Sequence, residues 1–329
     1  MIQKIINKSL ELKNSLNQNV VNFVLDENLR SAIARHIELF KIKFNNLEQA
    51  QKEYSTSDLK FHIMNNRNSA LEDFAKQITN SLSNEYGYSL IKGMMTGDDA
   101  VLGLFILSAY IGKPMHNNRD RKYIWPLISK QIESSKNLEN NIRYGNTGIS
   151  LPYHTDTCTV AGLLCDTPAN DGGENELIST TRVHNLIYDL DQDLLKELYG
   201  LFYIDRRGEE LDRLRPYSEQ PVFAYNNNQI QTFWADVYNY AAYDKYDGLD
   251  ELSSKQIQAY EILKKAIYIV AAEDKVEVKL QSGDLILMNN NLVFHSRKPF
   301  TEDANGRKLY RVWINLNCYY TLPHMFGYE

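Results

Sequence analysis

Apolar residues recur at the spacing of a helix face over residues 69–82, where Leu71, Phe74, Ala75, Ile78 and Leu82 share one side. Ser69, with Glu72 three residues on, supplies a capping-box sequence at the start of that helix. The first 80 or so residues read mainly as helix in this way. A short apolar stretch at 88–91 then reads as a strand ending at Gly93. A second helix follows, with Thr96 and Asp99 at its start, Val101, Leu102, Phe105 and Ile111 on its buried side, and Gly112 and Pro114 as its stop. From about residue 145 the pattern changes to short strands, turns and interspersed helices. Residues 160–165 form an apolar run of strand length, followed by a Pro-Ala-Asn-Asp-Gly-Gly turn. Residues 182–201 and 253–272 carry helical spacing, the latter with Ser253 and Gln256 as a capping box. Val276, Val278 and Leu280 alternate with polar residues, and Ser282-Gly283-Asp284 turns into an apolar run at 285–288, which is a hairpin signature. The last strand, at 308–320, alternates throughout. Val312, Ile314, Leu316 and Cys318 face one way; Arg311, Trp313, Asn315 and Asn317 face the other. The pattern predicts a mixed α+β chain, a β-rich body wrapped by helices with no evident linker.

Composition narrows the class without naming a chemistry. The 36 basic and 42 acidic residues of this 329-residue chain leave a formal net charge of −6 with no clustered basic stripe, so nucleic acid is not an expected partner. No apolar run reaches membrane-spanning length, and the opening MIQKIINKSLELKN is too polar for a signal peptide, so no membrane partner is expected either. The three cysteines, Cys158, Cys165 and Cys318, include no CxxC pair and predict a reducing, cytoplasmic setting with small apolar roles for each.

The residues that carry chemistry centre on Leu151-Pro-Tyr-His-Thr-Asp156. His154 and Asp156 are two apart, so on an extended segment their side chains point the same way. An imidazole and a carboxylate on one side offer two ligands to a divalent metal. The third candidate is His295, which follows a strand and can reach the same barrel mouth. Two histidines and one carboxylate on one face of an octahedral ion leave three positions open, the facial triad of non-haem Fe(II) oxygenases. A His-x-Asp tripeptide is common by chance; the ordered set of HxD, a Gly-Gly turn, Gly-Asp-strand-Asn-Asn, a distal histidine and two arginines is not. The same three ligands also suit a zinc hydrolase with a bound water, and a non-catalytic scaffold that binds a small anion remains a third reading.

At these motifs the chain resembles the taurine dioxygenase branch of the Fe(II)/2-oxoglutarate-dependent oxygenases. The matching pieces are Gly87-Tyr-Ser-Leu-Ile-Lys-Gly93, the stretch from Leu107 to Ile111-Gly-Lys-Pro114, Leu151-Pro-Tyr-His-Thr-Asp156, Gly172-Gly-Glu-Asn-Glu-Leu-Ile-Ser179, Ser282-Gly-Asp-Leu-Ile-Leu-Met-Asn-Asn290, His295 and Gly306-Arg-Lys-Leu-Tyr-Arg311. The resemblance covers roughly residues 85–320. It implies a double-stranded β-helix (jelly-roll) core in residues 85–329, with residues 1–84 as a helical segment packed on it. It further implies Fe(II) on His154, Asp156 and His295, with 2-oxoglutarate as cosubstrate and O₂ as oxidant. Arg307 and Arg311 lie 12 and 16 residues after His295. By the family's pattern Arg307 takes the distal carboxylate of 2-oxoglutarate, and Arg311 takes an anionic group of the substrate or shares the cosubstrate; a bidentate fork is why such a site wants Arg. The family usually carries Thr or Ser after the double glycine, where this chain has Asn175, whose amide can donate the same bond. In related halogenases the place of Asp156 is held by Gly or Ala, so a carboxylate there argues for hydroxylation. His116 is expected to line the site by resemblance, and Trp313 either walls the pocket or packs in the core. The expected reaction couples decarboxylation of 2-oxoglutarate, giving succinate and CO₂, to oxidation of a small substrate such as an amino acid, an organic acid or a natural-product intermediate. His36, His62, His184 and His324 have no partners at ligand spacing. Arg206, Arg207, Arg213 and Arg215, interleaved with Glu209, Glu210 and Asp212, read as a solvated, salt-bridged face. The N-terminal helices suit either a cap on the barrel or a contact between copies of the chain.

Overall fold

A computed structural model describes residues 22–85, 87–128, 148–210, 214–226, 229–301 and 306–316. Two sheets organise it. The larger has seven strands in the order β1 (Asn22–Val24), β2 (Tyr88–Lys92), β14 (Leu285–Asn289), β6 (Val160–Thr167), β17 (Lys308–Asn315) and β3 (Lys113–Met115), with β4 (Ile124–Ile128) also paired to β17. Only β1 and β2 run parallel among its pairs. The smaller is antiparallel, in the order β13 (Val276–Val278), β8 (Asn175–Ser179), β15 (Val293–Arg297) and β5 (Leu151–His154). Three short pairs complete the β structure: β7 (Asp171–Gly172) with β16 (Phe300–Thr301), β9 (Phe202–Asp205) with β10 (Tyr217–Gln220), and β11 (Phe223–Asn226) with β12 (Gln229–Thr232).

The period of two explains how the sheets stack. Ile286 and Met288 of β14 join Leu309 and Trp313 of β17 in one buried cluster with Leu177, Val276, Val278 and Val293 of the smaller sheet. Their neighbours Leu285, Leu287, Val312 and Ile314 point the other way, into a cluster with helices α1 (Glu27–Phe44), α4 (Ser69–Asn80) and α5 (Ala100–Ile111). Strands buried on both faces need apolar residues at every position, which is why residues 285–288 and 160–165 read as runs. Helix α5 is apolar nearly all round because it lies between the sheet and the other N-terminal helices, α2 (Leu47–Glu53) and α3 (Thr56–Asn65) among them. Behind the smaller sheet, Tyr153, Ile178 and Phe294 pack on α6 (Thr180–Leu190), α7 (Gln192–Glu197) and α9 (Ser254–Asp274). Helix α8 (Asp236–Lys245) stands beside β9.

Several local expectations change in the fold. Asn68, not Ser69, caps α4, its Oδ1 accepting from the Leu71 N–H at 3.1 Å, and the helix runs on into a π turn at Ser81–Glu85. Thr96 makes no side-chain cap bond; a 3₁₀ turn at Gly97–Asp99 leads into α5 instead. The helical stretch after Arg182 is two helices, broken where the Asp191 side chain accepts from the Asp193 and Leu194 N–H groups. The Ser253–Gln256 capping box is present. The residues around 276–288 are not a hairpin, because β13 pairs with β8 in one sheet and β14 with β2 and β6 in the other. Alternation marks each strand but carries no information on its partner. In β17 the two faces divide as expected through Asn315, while Asn317, Cys318 and His324 lie outside the described residues.

Among the other histidines, His184 is fully buried, its ring nitrogens 3.0 Å from Asn185 Oδ1 and 2.9 Å from Tyr199 Oη. Burial pulls its pKa down to about 4. The unfolded chain therefore takes up this proton near pH 6.5 while the folded chain does not. The stabilisation is complete above that pH and is lost as pH falls toward 4, by about 3 kcal/mol. Urea midpoints measured from pH 7 to 4 should fall accordingly, and His184→Gln should flatten part of the slope; an unchanged slope in the variant would contradict this assignment.

Gly172 sits at φ 74° in the Gly-Gly turn, and a Cβ there would run into the carbonyl oxygen of Pro299. Gly172→Ala is expected to cost about 2–3 kcal/mol through positive φ and overpacking combined. Thermal melts of the variant check this; a midpoint within a degree of wild type would show that the turn relaxes freely.

Candidate active site

The site is built where β5 and β15 meet. His154 and His295 are direct cross-strand partners, and their ring centroids are 4.2 Å apart. Position i on one strand and its partner on the next share a face, so pairing alone brings together two imidazoles that are far apart in sequence. Asp156 lies just beyond the end of β5. Its N–H donates to Asn290 Oδ1 at 3.0 Å, and Asn290 Nδ2 donates to the Cys158 carbonyl at 2.9 Å, so one side chain clamps the loop at both ends. Thr155, between the two, bonds through its N–H to the Trp234 carbonyl (2.8 Å) and accepts from the Trp234 N–H at Oγ1 (3.0 Å). Asn290→Ala should loosen this loop and cut metal affinity by about 10- to 100-fold, the usual effect of removing an outer support. Titration of Fe(II) with wild type and variant reads this out; equal affinities would mean that the loop needs no clamp.

Asp156 Oδ2 stands 3.9 Å from His295 Nε2, and its Oδ1 stands 3.8 Å from Arg311 Nη1. Burial pushes the Asp156 carboxyl up, but the net shift is downward, with the Arg311 guanidinium the largest opposing influence, so the group is ionised. Burial and the neighbouring His154 bring His295 down to about 3, and burial lowers His154 as well, so both rings are neutral. His154 Nδ1 lies 2.9 Å from the Pro152 carbonyl; the tautomer that donates there leaves Nε2 with its lone pair. Among the described residues no three His, Cys, Asp or Glu donors converge closely enough to share a cation. Ligands in neighbouring positions of an octahedral ion, each about 2.1 Å from it, stand about 3 Å apart. Two neutral imidazoles and an ionised carboxylate are the donor set a divalent first-row metal takes, and in this sense the residues fit it.

A cavity of about 150 Å³ opens over these side chains. His154, Asp156, His295, Asn175, Arg307, Arg311 and Trp313 all line it. Arg311 donates from Nε to Asn117 Oδ1 at 2.9 Å and lies over the Trp313 ring at 4.5 Å, as two residues sharing a strand face should. Arg307 precedes β17, is buried, and stacks over Phe300 at 4.8 Å. Asn175 is buried at the start of β8, and among the described residues its Nδ2 has no hydrogen-bond partner. His116 is the exception. It does not line this cavity; it follows β3 at the sheet edge and packs on the Tyr123 ring at 4.6 Å, where burial lowers its pKa to about 4.

Sequence reasoning passed over Arg297 and Asp236, which also line the cavity. Arg297 was findable. It is two residues past His295 on β15, so the rule that placed Asp156 beside His154 places it on the same face. It donates to the Ile149 carbonyl and shares the Phe300 ring with Arg307, each guanidinium 4.8 Å from the centroid. Asp236 lies in a helical stretch with no motif to mark it.

The family model described as "Taurine catabolism dioxygenase TauD, TfdA family" matches residues 48–313. The match begins within the N-terminal helices, upstream of residue 85. A curated relative, FR-33289 synthase of Streptomyces rubellomurinus, is 26% identical over 253 residues, covering 73% of this chain and 72% of its own. Among solved structures, an asparagine oxygenase in complex with Fe(II), 2S,3S-3-hydroxyasparagine and succinate superposes with a TM-score of 0.65 at 12% identity, over 89% of this chain and 93% of that one. The non-haem iron oxygenase OrfP in complex with Fe and alpha-ketoglutaric acid superposes at 0.62 with 15% identity, over 89% and 94%.

Proposed function

Because the chain belongs to the TauD/TfdA family and is an Fe(II)- and 2-oxoglutarate-dependent dioxygenase, we propose that it hydroxylates a small, anion-bearing substrate, with His154, Asp156 and His295 holding the iron. When bound, the iron with 2-oxoglutarate and O₂ supplies an oxidant strong enough for an unactivated C–H bond, and the cosubstrate leaves as succinate and CO₂. The protein's own part is to bind, orient and keep water out. Arg307 takes the distal carboxylate of 2-oxoglutarate, fixed in direction by Phe300, and Asn175 donates its amide hydrogen to a carboxylate of the same molecule. Arg311, stacked on Trp313, releases Asp156 to the metal and turns to the substrate's anionic group. The observation that carries this reading is the buried Nδ2 of Asn175, which has no hydrogen-bond partner among the described residues, in a cavity that also holds the two imidazoles, Asp156 and both arginines. A buried donor without a partner costs about 1–3 kcal/mol, which a bound carboxylate returns.

The two stacked sheets support a double-stranded β-helix for the core; residues 85–329 are read as its catalytic part and 1–84 as the segment packed on it, of which 1–21 and 317–329 lie outside the described residues. Free, buried Cys158 and Cys165 accord with a cytoplasmic setting. The zinc-hydrolase and scaffold alternatives are set aside by family membership. The molecules bound in the asparagine oxygenase and OrfP structures, 2S,3S-3-hydroxyasparagine and (3S)-hydroxy-L-Arg, favour an amino acid or a close analogue here. Anaerobic visible spectroscopy tests the reading: adding Fe(II) and then 2-oxoglutarate should raise a charge-transfer band that needs both and disappears in His154→Ala. Folded protein with no band would overturn it.

A further inference from the structure

Asp236 opens helix α8 and lines the same cavity as Arg311. Its position is set from the metal side. Trp234, two residues earlier, exchanges two hydrogen bonds with Thr155, which lies between His154 and Asp156. The next residue is also held, because the Ala235 N–H donates to Asn239 Oδ1 at 2.9 Å. The carboxylate is therefore carried on a helix start that is tied through Trp234 to the loop between His154 and Asp156 and capped at Ala235 by Asn239 of its own helix. Among the described residues its Oδ1 is buried and has no hydrogen-bond partner. An acidic residue in the first turn of a helix favours that helix through the dipole, but a solvated carboxylate would do so equally well. Burying one oxygen inside an aromatic cavity wall, beside Phe233 and Tyr238, adds a desolvation cost that the helix does not need.

We infer that Asp236 is a specificity-determining residue of this cavity, taking a protonated nitrogen of a zwitterionic substrate whose anionic group lies on Arg311. This rests on the reading of the site as an Fe(II)/2-oxoglutarate oxygenase and narrows its substrate class to molecules with both charges. Two opposite charges on the cavity wall fix a small molecule at two points, so one set of its C–H bonds faces His154 and His295 and others do not. A neutral or purely anionic molecule of the same shape leaves the Asp236 oxygen unpaired and is discriminated against, as sites built around a polar contact reject analogues that lack it.

The test uses the full chain loaded anaerobically with Fe(II) and 2-oxoglutarate, and reads the shift of the charge-transfer band on adding the proteinogenic amino acids and, in parallel, the corresponding carboxylic acids without the amine. Some ammonium-bearing probes should shift the band, and their deaminated partners should bind about tenfold more weakly or worse. Asp236→Asn should weaken the ammonium probes by a similar factor while changing the deaminated acids far less. Equal binding of a probe and its deaminated partner, or an equal loss for both in the variant, overturns the inference. So does a band that forms and answers to no ammonium probe, which leaves the oxygenase reading standing. Absence of the band itself is the separate failure of that reading. The comparison of probes on wild type needs no variant to fold.

Discussion

His295→Ala is expected to abolish Fe(II)-dependent release of succinate from 2-oxoglutarate, by well over about a hundredfold, since even changes behind the ligands reach that loss. The ring is a buried, neutral imidazole facing His154 across one strand pair and Asp156 at 3.9 Å. Its Nδ1 has no hydrogen-bond partner among the described residues, so deleting the ring orphans no other polar atom at that end and costs mainly packing. The variant should fold, melt within several degrees of wild type and bind Fe(II) poorly. Asp156→Ala should have the same effect on turnover for a further reason: it leaves Arg311 facing two imidazoles without the carboxylate between them. Metal content after desalting, together with succinate release, checks both. A folded His295→Ala that retains stoichiometric iron and turnover would remove the residue from the ligand set.

The second large effect is expected at Arg307. Arg307→Ala should raise the KM for 2-oxoglutarate by about thirtyfold or more, because truncating one member of a buried charged pair costs about 2–5 kcal/mol and each 1.4 kcal/mol is about tenfold. Arg307→Lys should recover only part of it, since a point charge does not reproduce the fork that the Phe300 platform orients. Arg311→Ala should instead weaken the primary substrate, as judged by uncoupled against coupled 2-oxoglutarate turnover. If Arg311→Ala shows the cosubstrate defect and Arg307→Ala does not, the two roles are exchanged. Arg297 complicates neither comparison. Its guanidinium is already engaged with the Ile149 carbonyl and the Phe300 ring, and burial followed by the charge of Arg307 brings its pKa down to about 9.

Where the sequence sufficed and where it failed follows from the range of each signal. Periodicity is a local property. It found the strand of residues 160–165, the helix behind Ser253 and the division of β17 into an apolar and a polar face. Chemistry repeated in order along the chain was also readable. HxD, the Gly-Gly turn, Asn-Asn, the distal histidine and the arginine pair are each short and weak, and their order marked the family. The Gly-Gly turn has a local cause as well, because Gly172 and Gly173 both need positive φ.

Pairing and burial are decided between segments, and there local reading ran out. The pattern of residues 276–288 is that of a hairpin, yet its halves joined different sheets, β13 against β8 and β14 between β2 and β6, and alternation along one strand does not name its partner. His116 follows β3, which pairs with β17 at the sheet edge, and it packs on Tyr123 instead of lining the cavity. Asp236 carries no motif at all. Tertiary contacts, among them the two hydrogen bonds between Trp234 and Thr155, bring it to the cavity.

By itself the sequence determined which side chains this protein could offer to a metal and a 2-oxo acid, because ligand type and order are covalent facts of the chain. Only the tertiary structure decided that His154 and His295 face each other, that Asn175 presents a buried Nδ2 without a partner among the described residues, and that an acid stands in the cavity with Arg311. The physical reason is that desolvation, which gives each of these groups its cost and hence its use, arises only when distant segments close over it.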